Sequence, residues 1–71
     1  MHRELASVRE SLRLDLQAIA RANPERRARS IGIAGAYADA MYRLDRLAMR
    51  IDHDEVEQTR TACRELATAA L

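Results

Sequence analysis

Apolar residues at helical spacing divide the chain into three segments. In the first segment, apolar residues recur every three or four positions and fall within an arc of about 80° on a helical wheel. They are Leu5, Val8, Leu12, Leu16 and Ile19. The spacing predicts an amphipathic helix over residues 3–22.

The second segment is apolar on two sides. Asn23 followed by Pro24 is typical of a helix start, with Asn as the N-cap and Pro at the first helical position, so a helix is predicted over residues 24–51. Its main face consists of Ile33, Tyr37, Ala40, Met41, Leu44, Leu47, Ala48 and Ile51. A nearly opposite stripe consists of Ile31, Ala38, Tyr42 and Met49. A helix with two apolar sides is predicted to be central and covered on both.

A third helix is predicted over residues 53–70. Asp52 as N-cap with Glu55 three positions later resembles a capping box, and Ile51 with Val56 occupy the positions of a hydrophobic staple. The predicted core stripe is Val56, Thr59, Cys63, Leu66 and Ala70. Residues 52–54 could form a kink or a full turn. The chain is therefore predicted to be a single all-α domain over residues 1–71, either a helical hairpin with a bent arm or a three-helix bundle.

Composition limits the size of the core. The chain has 71 residues, of which 14 are Ala and none is Phe or Trp. Few side chains can fill a core, and small domains bury a small share of their surface. This argues against two domains and against a chain that shields a large cofactor, so no cofactor is expected. A partner chain is expected to complete the small core.

Charge and candidate reactive groups favour a non-enzymatic protein. The formal net charge is +1 with twelve Arg and no Lys, which gives no overall attraction to nucleic acid or membrane. A single Cys63 cannot form an internal disulfide, and no targeting segment is visible, so a cytoplasmic location is expected. His53 and Glu57 share a helix face beside Asp52 and Asp54 but are too few for a metal site. Cys63 lies in the apolar stripe and points away from His53, so neither metal binding nor catalysis is predicted.

Small residues in the second helix predict a close helix–helix contact. Gly32, Ala36 and Ala40 recur every four residues, and each interior Gly costs about 1 kcal/mol relative to Ala, which a close contact would offset; a flexible helix start is the alternative. Residues 21–29 are basic and residues 51–57 acidic, so an antiparallel homodimer centred near residue 38 would bring opposite charges together. The alternatives are a parallel dimer and a different partner protein that binds the same charged patches. The predicted self-association residues are Gly32, Ala36, Tyr37, Ala40, Met41 and Leu44.

Two further surfaces are candidates for other partners. The predicted protein-binding residues are Leu14, Ala18, Tyr42 and Met49, and a basic cluster consists of Arg21, Arg26, Arg27 and Arg29. The predicted function is a protein–protein interaction module that acts as an inhibitor, adaptor or co-chaperone by helix packing. The alternative is a nucleic-acid-associated regulator that uses the basic cluster.

Overall fold

The computed structural model describes residues 2–71 and contains three α-helices. They are α1 (Arg3–Ala22), α2 (Arg26–Leu47) and α3 (His53–Ala70). Each helix contacts the other two, and the molecule measures 39 × 16 × 15 Å. No strand occurs between residues 2 and 71. The chain reverses direction after α1 and again after α2, so the all-α prediction is confirmed and the fold is a three-helix bundle.

Helix α1 has the predicted bounds and the predicted buried face. His2 is its N-cap, and the His2 Nδ1 accepts a hydrogen bond from the Glu4 backbone N–H at 3.2 Å. Leu5, Leu12 and Leu16 are buried, because the spacing of three and four places them on the side that faces the other helices.

The prediction that Asn23 caps the start of α2 is wrong. The Asn23 backbone N–H and side-chain amide both donate to the Ile19 carbonyl, at 3.1 and 3.0 Å, so Asn23 ends α1 instead. Its side chain is therefore not directed at α2, which begins two residues after Pro24 with Glu25 as N-cap and no side-chain cap. The Arg29 guanidinium donates to the Asn23 and Pro24 carbonyls, at 3.0 and 2.6 Å, and stabilises this connection.

Helix α2 ends at Leu47, four residues before its predicted end at residue 51. The backbone N–H groups of Arg50 and Ile51 both donate to the Leu47 carbonyl, at 2.9 and 3.0 Å, which tightens the last turn. The following Asp52 accepts a hydrogen bond from the Asp54 N–H at 3.1 Å and starts α3 at the predicted position. Residues 48–52 thus form a full reversal, and no glycine is needed for it.

The core is one cluster formed by all three helices. Its buried apolar members are Leu5, Val8, Leu12, Leu16, Ile33, Ala40, Leu44, Leu47, Val56, Cys63 and Ala67. Buried Thr59 donates from Oγ1 to the Glu55 carbonyl at 3.1 Å, which satisfies its hydroxyl. Two predicted members, Ala48 and Ala70, are exposed because one lies in the turn after α2 and the other at the last residue of α3. None of the helices in residues 2–71 combines the length and the apolar character needed to cross a bilayer.

Candidate functional site

The predicted self-association residues lie inside the bundle of their own chain. Ala40 and Leu44 are buried in the core, and Ala36, Tyr37 and Met41 are half-buried against it. Ala40 and Leu44 can therefore meet a second copy only if the bundle opens, whereas Ala36, Tyr37 and Met41 keep part of their surface exposed.

Gly32 shows what the small residues of α2 accommodate. A Cβ at Gly32 would lie 3.0 Å from the Ile19 Cγ2 and 3.3 Å from Cγ1, which is closer than ordinary van der Waals contact. The close approach predicted from the small residues therefore exists, but it joins α2 to α1 of the same chain. Helix α2 is continuous from Arg26 through this segment.

The opposite side of α2 is exposed to solvent. Ile31, Tyr42 and Met49 are 67%, 60% and 87% exposed. Ala38 is exposed as well, and a Cβ at Gly35 would meet nothing within 4 Å. We call these five residues the outer face; Met49 belongs to the turn that continues it. The second apolar stripe is thus where the sequence predicts it, but no part of residues 2–71 covers it.

Tyr42 occupies the middle of the outer face. The Arg46 guanidinium carbon lies 5.9 Å from the centre of the Tyr42 ring, and Arg46 donates a hydrogen bond to the Tyr42 hydroxyl at 3.2 Å. This cation–π contact holds the ring along the helix and satisfies its polar end. The ring is therefore an exposed apolar surface whose polar end already has a partner.

A groove between α2 and α3 lies beside the outer face. It has a volume of 310 Å³ and is lined by Ser30, Ile33, Ala34, Tyr37, Arg64, Ala67, Thr68 and Leu71. Ala34, which precedes Gly35, connects it to the outer face. The sequence did not predict this groove, because its walls come from two helices whose relative position is a tertiary property.

The predicted protein-binding residues form two separate surfaces. Leu14, which is 50% exposed, and exposed Ala18 lie on α1, whereas Tyr42 and Met49 belong to the outer face. The α1 pair offers two isolated apolar side chains, which are ordinary on protein surfaces. The outer face is the larger of the two.

Three of the four residues of the predicted basic cluster are exposed. Arg21, Arg26 and Arg27 are exposed, but Arg29 is half-buried and donates to the carbonyls of the α1–α2 connection. That guanidinium has a structural role. Three exposed Arg side chains remain at this end of the bundle.

A second group of Arg side chains lies near the end of α2. Arg43, Arg46 and Arg50 line a groove of 350 Å³ between α1 and α2, together with Glu4, Ser7, Val8 and Leu47. Arg50 lies 2.8 Å from a Glu4 carboxylate oxygen, and this hydrogen bond lowers the pKa of Glu4. The ion pair joins the start of α1 to the turn after α2, and its exposure limits its contribution to stability.

The candidate reactive groups are dispersed. His53 is exposed, and Glu57 pairs with Arg60 at 2.6 Å rather than with His53. Within residues 2–71 no group of three or more His, Cys, Asp or Glu side chains has an arrangement that could hold a metal ion. Cys63 is fully buried, and burial raises the pKa of its thiol.

Cys63 is therefore expected to be unreactive in the folded chain. Thiol reagents react with the thiolate, which both burial and the raised pKa disfavour. A chromogenic disulfide reagent should label no thiol in buffer at neutral pH and one thiol per chain in denaturant. Rapid labelling of the folded protein would contradict the buried position of Cys63.

The fold thus leaves two kinds of surface available to other molecules. One is apolar and consists of the outer face and the adjoining groove; the other consists of exposed Arg side chains at the two ends of α2. Comparisons with protein-family models, with curated proteins and with solved structures found no match to the chain.

Proposed function

We propose that this chain is a non-enzymatic protein-interaction module that presents the outer face of α2 to a helix of another polypeptide. The observation that carries the proposal is the exposure of Ile31, Tyr42 and Met49 along one side of the helix that also supplies much of the core. Helix-in-groove recognition uses apolar anchors at this kind of spacing. The module acts by occupying a partner's helix surface, as an adaptor or inhibitor does.

The residue types along the outer face suit helix packing. Tyr and Met supply large contact areas, one rigid and one adaptable, and Tyr is enriched among the residues that dominate binding energies. Gly35 and Ala38 lie between Ile31 and Tyr42 and leave room for a second helix to approach closely. Packing within the bundle does not require Gly35, and close approach of a partner helix would offset its cost of about 1 kcal/mol in helix stability.

Nucleic-acid binding is the weaker proposal. It depends on Arg21, Arg26 and Arg27, since Arg29 is committed to the backbone of the α1–α2 connection. The two Tyr side chains lie on α2 away from this end, so aromatic stacking does not accompany the charges. The apolar surface is the better supported of the two.

A charge placed on the outer face tests the proposed function. Tyr42→Glu should leave the bundle folded, because Tyr42 is mostly exposed, but a carboxylate in an apolar contact should reduce partner binding by more than about tenfold. The measurement is quantitative capture from a cell extract, comparing the wild-type chain with the variant as bait.

The matched control is Leu14→Glu, which places the same charge on the exposed side of α1. Partner proteins lost with Tyr42→Glu and retained with Leu14→Glu would support binding through the outer face. Identical sets of captured proteins for the wild type and Tyr42→Glu would contradict it. Circular dichroism melts of all three chains show whether any loss comes from unfolding.

A further inference from the structure

Within α2, the four outer-face residues Ile31, Gly35, Ala38 and Tyr42 have the same order of sizes when read in either direction. Along the sequence, Ile31 and Tyr42 are equally far from the midpoint between residues 36 and 37. Gly35 and Ala38 are also equally far from that midpoint. The order is therefore large, small, small, large. Two copies of this face placed antiparallel bring Ile31 opposite Tyr42 of the second copy and Gly35 opposite its Ala38.

The spacing along α2 is that of an antiparallel coiled-coil seam. Ile31, Gly35, Ala38 and Tyr42 follow one another at intervals of four, three and four residues, which keeps them on one stripe facing a partner helix. The small residues fall at the centre, where two helices that cross or align approach most closely, and the large ones at the flanks. A large–small–small–large seam thus complements itself in shape.

The charges at the edge of the outer face obey the same symmetry. Arg27 and Asp45 are separated by about five helical turns, so they lie on the same edge of α2, and they flank nearly the same midpoint. A two-fold axis places identical edges of the two helices side by side. Arg27 of each copy then lies beside Asp45 of the other, which gives two ion pairs between the copies.

Arg27 has no ion-pair partner among residues 2–71, and Asp45 uses one of its two carboxylate oxygens. The Arg27 residue is exposed. The Asp45 side chain is 66% exposed, and its Oδ1 lies 2.7 Å from Arg60, which leaves Oδ2 for a second guanidinium. Arg60 thereby holds the Asp45 carboxylate at the edge where the second copy's Arg27 arrives.

We propose that the outer face of α2 binds the same face of a second copy of this chain. The two α2 helices are antiparallel, and the two-fold axis crosses between them at the height of residues 36 and 37. The inference rests on the proposed function and names the partner of the same face. The dimer is a pair of three-helix bundles joined through α2 alone. Its contact differs from the one predicted through Gly32 and Leu44, which α1 and α3 already cover.

Single cysteines introduced on the outer face test both the partner and its orientation. In the proposed register the two copies of residue 38 lie about 4.5 Å apart along the helix axis, within the range of a disulfide. The two copies of residue 49 lie more than about 30 Å apart. Ala38→Cys should therefore form a covalent dimer under mild oxidation, whereas Met49→Cys should not. The buried Cys63 does not compete.

Charge reversal tests the register independently. Arg27→Asp places like charges at both edges and should weaken the dimer about five- to tenfold by sedimentation equilibrium, since each exposed pair contributes up to about 1 kcal/mol. Adding Asp45→Arg restores opposite charges between the copies and should recover part of the lost affinity; the recovery is partial because the new guanidinium lies beside Arg60 and the Asp45–Arg60 ion pair is lost. Arg26→Asp is the control, because Arg26 is equally exposed but lies off this edge.

Each outcome has a definite meaning. Covalent dimers from Ala38→Cys alone, with rescue by the double charge reversal, support the antiparallel second copy. Equal crosslinking of Met49→Cys overturns the antiparallel register. A chain that sediments as a monomer at submillimolar concentration and gives no Ala38→Cys crosslink overturns the second copy as partner. In that case a partner lost with Tyr42→Glu would still support the proposed function, so the two failures are distinguishable.

Discussion

Replacement of Leu12 by alanine is expected to remove about 2–5 kcal/mol from the free energy of unfolding. Leu12 is only 2% exposed and lies in the cluster shared by all three helices, so the shortened side chain leaves a cavity that the surrounding helices can only partly fill. A chain of this length has a total stability of roughly 4–11 kcal/mol. The single substitution is therefore expected to remove a large share of the total stability.

The matched control lies two residues away on the same helix. Leu14→Ala makes the same chemical change at a position that is half exposed, so the expected change in the free energy of unfolding is within about 0.5 kcal/mol. Urea denaturation followed by circular dichroism measures both variants. Equal destabilisation of the two would mean that α1 does not bury the face on which Leu12 lies.

Leucine at Gly32 is expected to destabilise the bundle, whereas leucine at Gly35 is expected to stabilise it. Both changes gain about 0.8–1 kcal/mol of helix propensity. At Gly32 the new side chain must displace Ile19, whose Cγ2 lies 3.0 Å from the Cβ position, and overpacking of this kind costs about 1–3 kcal/mol or more. At Gly35 nothing lies within 4 Å, so the gain in propensity is retained.

The comparison isolates packing from backbone effects because the substitution is the same in both variants. Thermal melts at a concentration where both chains sediment as monomers should place the Gly35→Leu midpoint above wild type and the Gly32→Leu midpoint below it. A Gly32→Leu chain as stable as Gly35→Leu would show that α1 and α2 are not in close contact at Ile19.

Helix positions were largely predictable because the signals are local. Leu5 to Ile19 recur with the helical period, and Asp52 has the side chain of an N-cap, so α1 and α3 begin and end as predicted. The error at Asn23 arises because Asn suits the end of a helix as well as its start. Its amide serves the end of α1, and the Arg29 guanidinium, six residues later, supplies the hydrogen bonds of the connection.

The candidate site could be predicted only in part from the sequence. The apolar stripe with Ile31 and Tyr42 is visible in the sequence, and the structure shows it exposed. The use of Gly32 is not visible, since a small residue is equally compatible with a neighbour from the same chain and one from another chain. In the structure the neighbour of Gly32 is Ile19 of the same chain, and the distance between the two residues depends on how α1 and α2 pack.

The sequence by itself determined that this chain forms three helices and that α2 has two apolar faces, because helical periodicity depends only on the order of residues. The tertiary structure decided which face is covered. Helices α1 and α3 pack on the side that includes Leu44, where large residues can fill the space between three helices, and leave Ile31, Tyr42 and Met49 exposed. That choice depends on how three surfaces fit together at once, and no single helix contains the information.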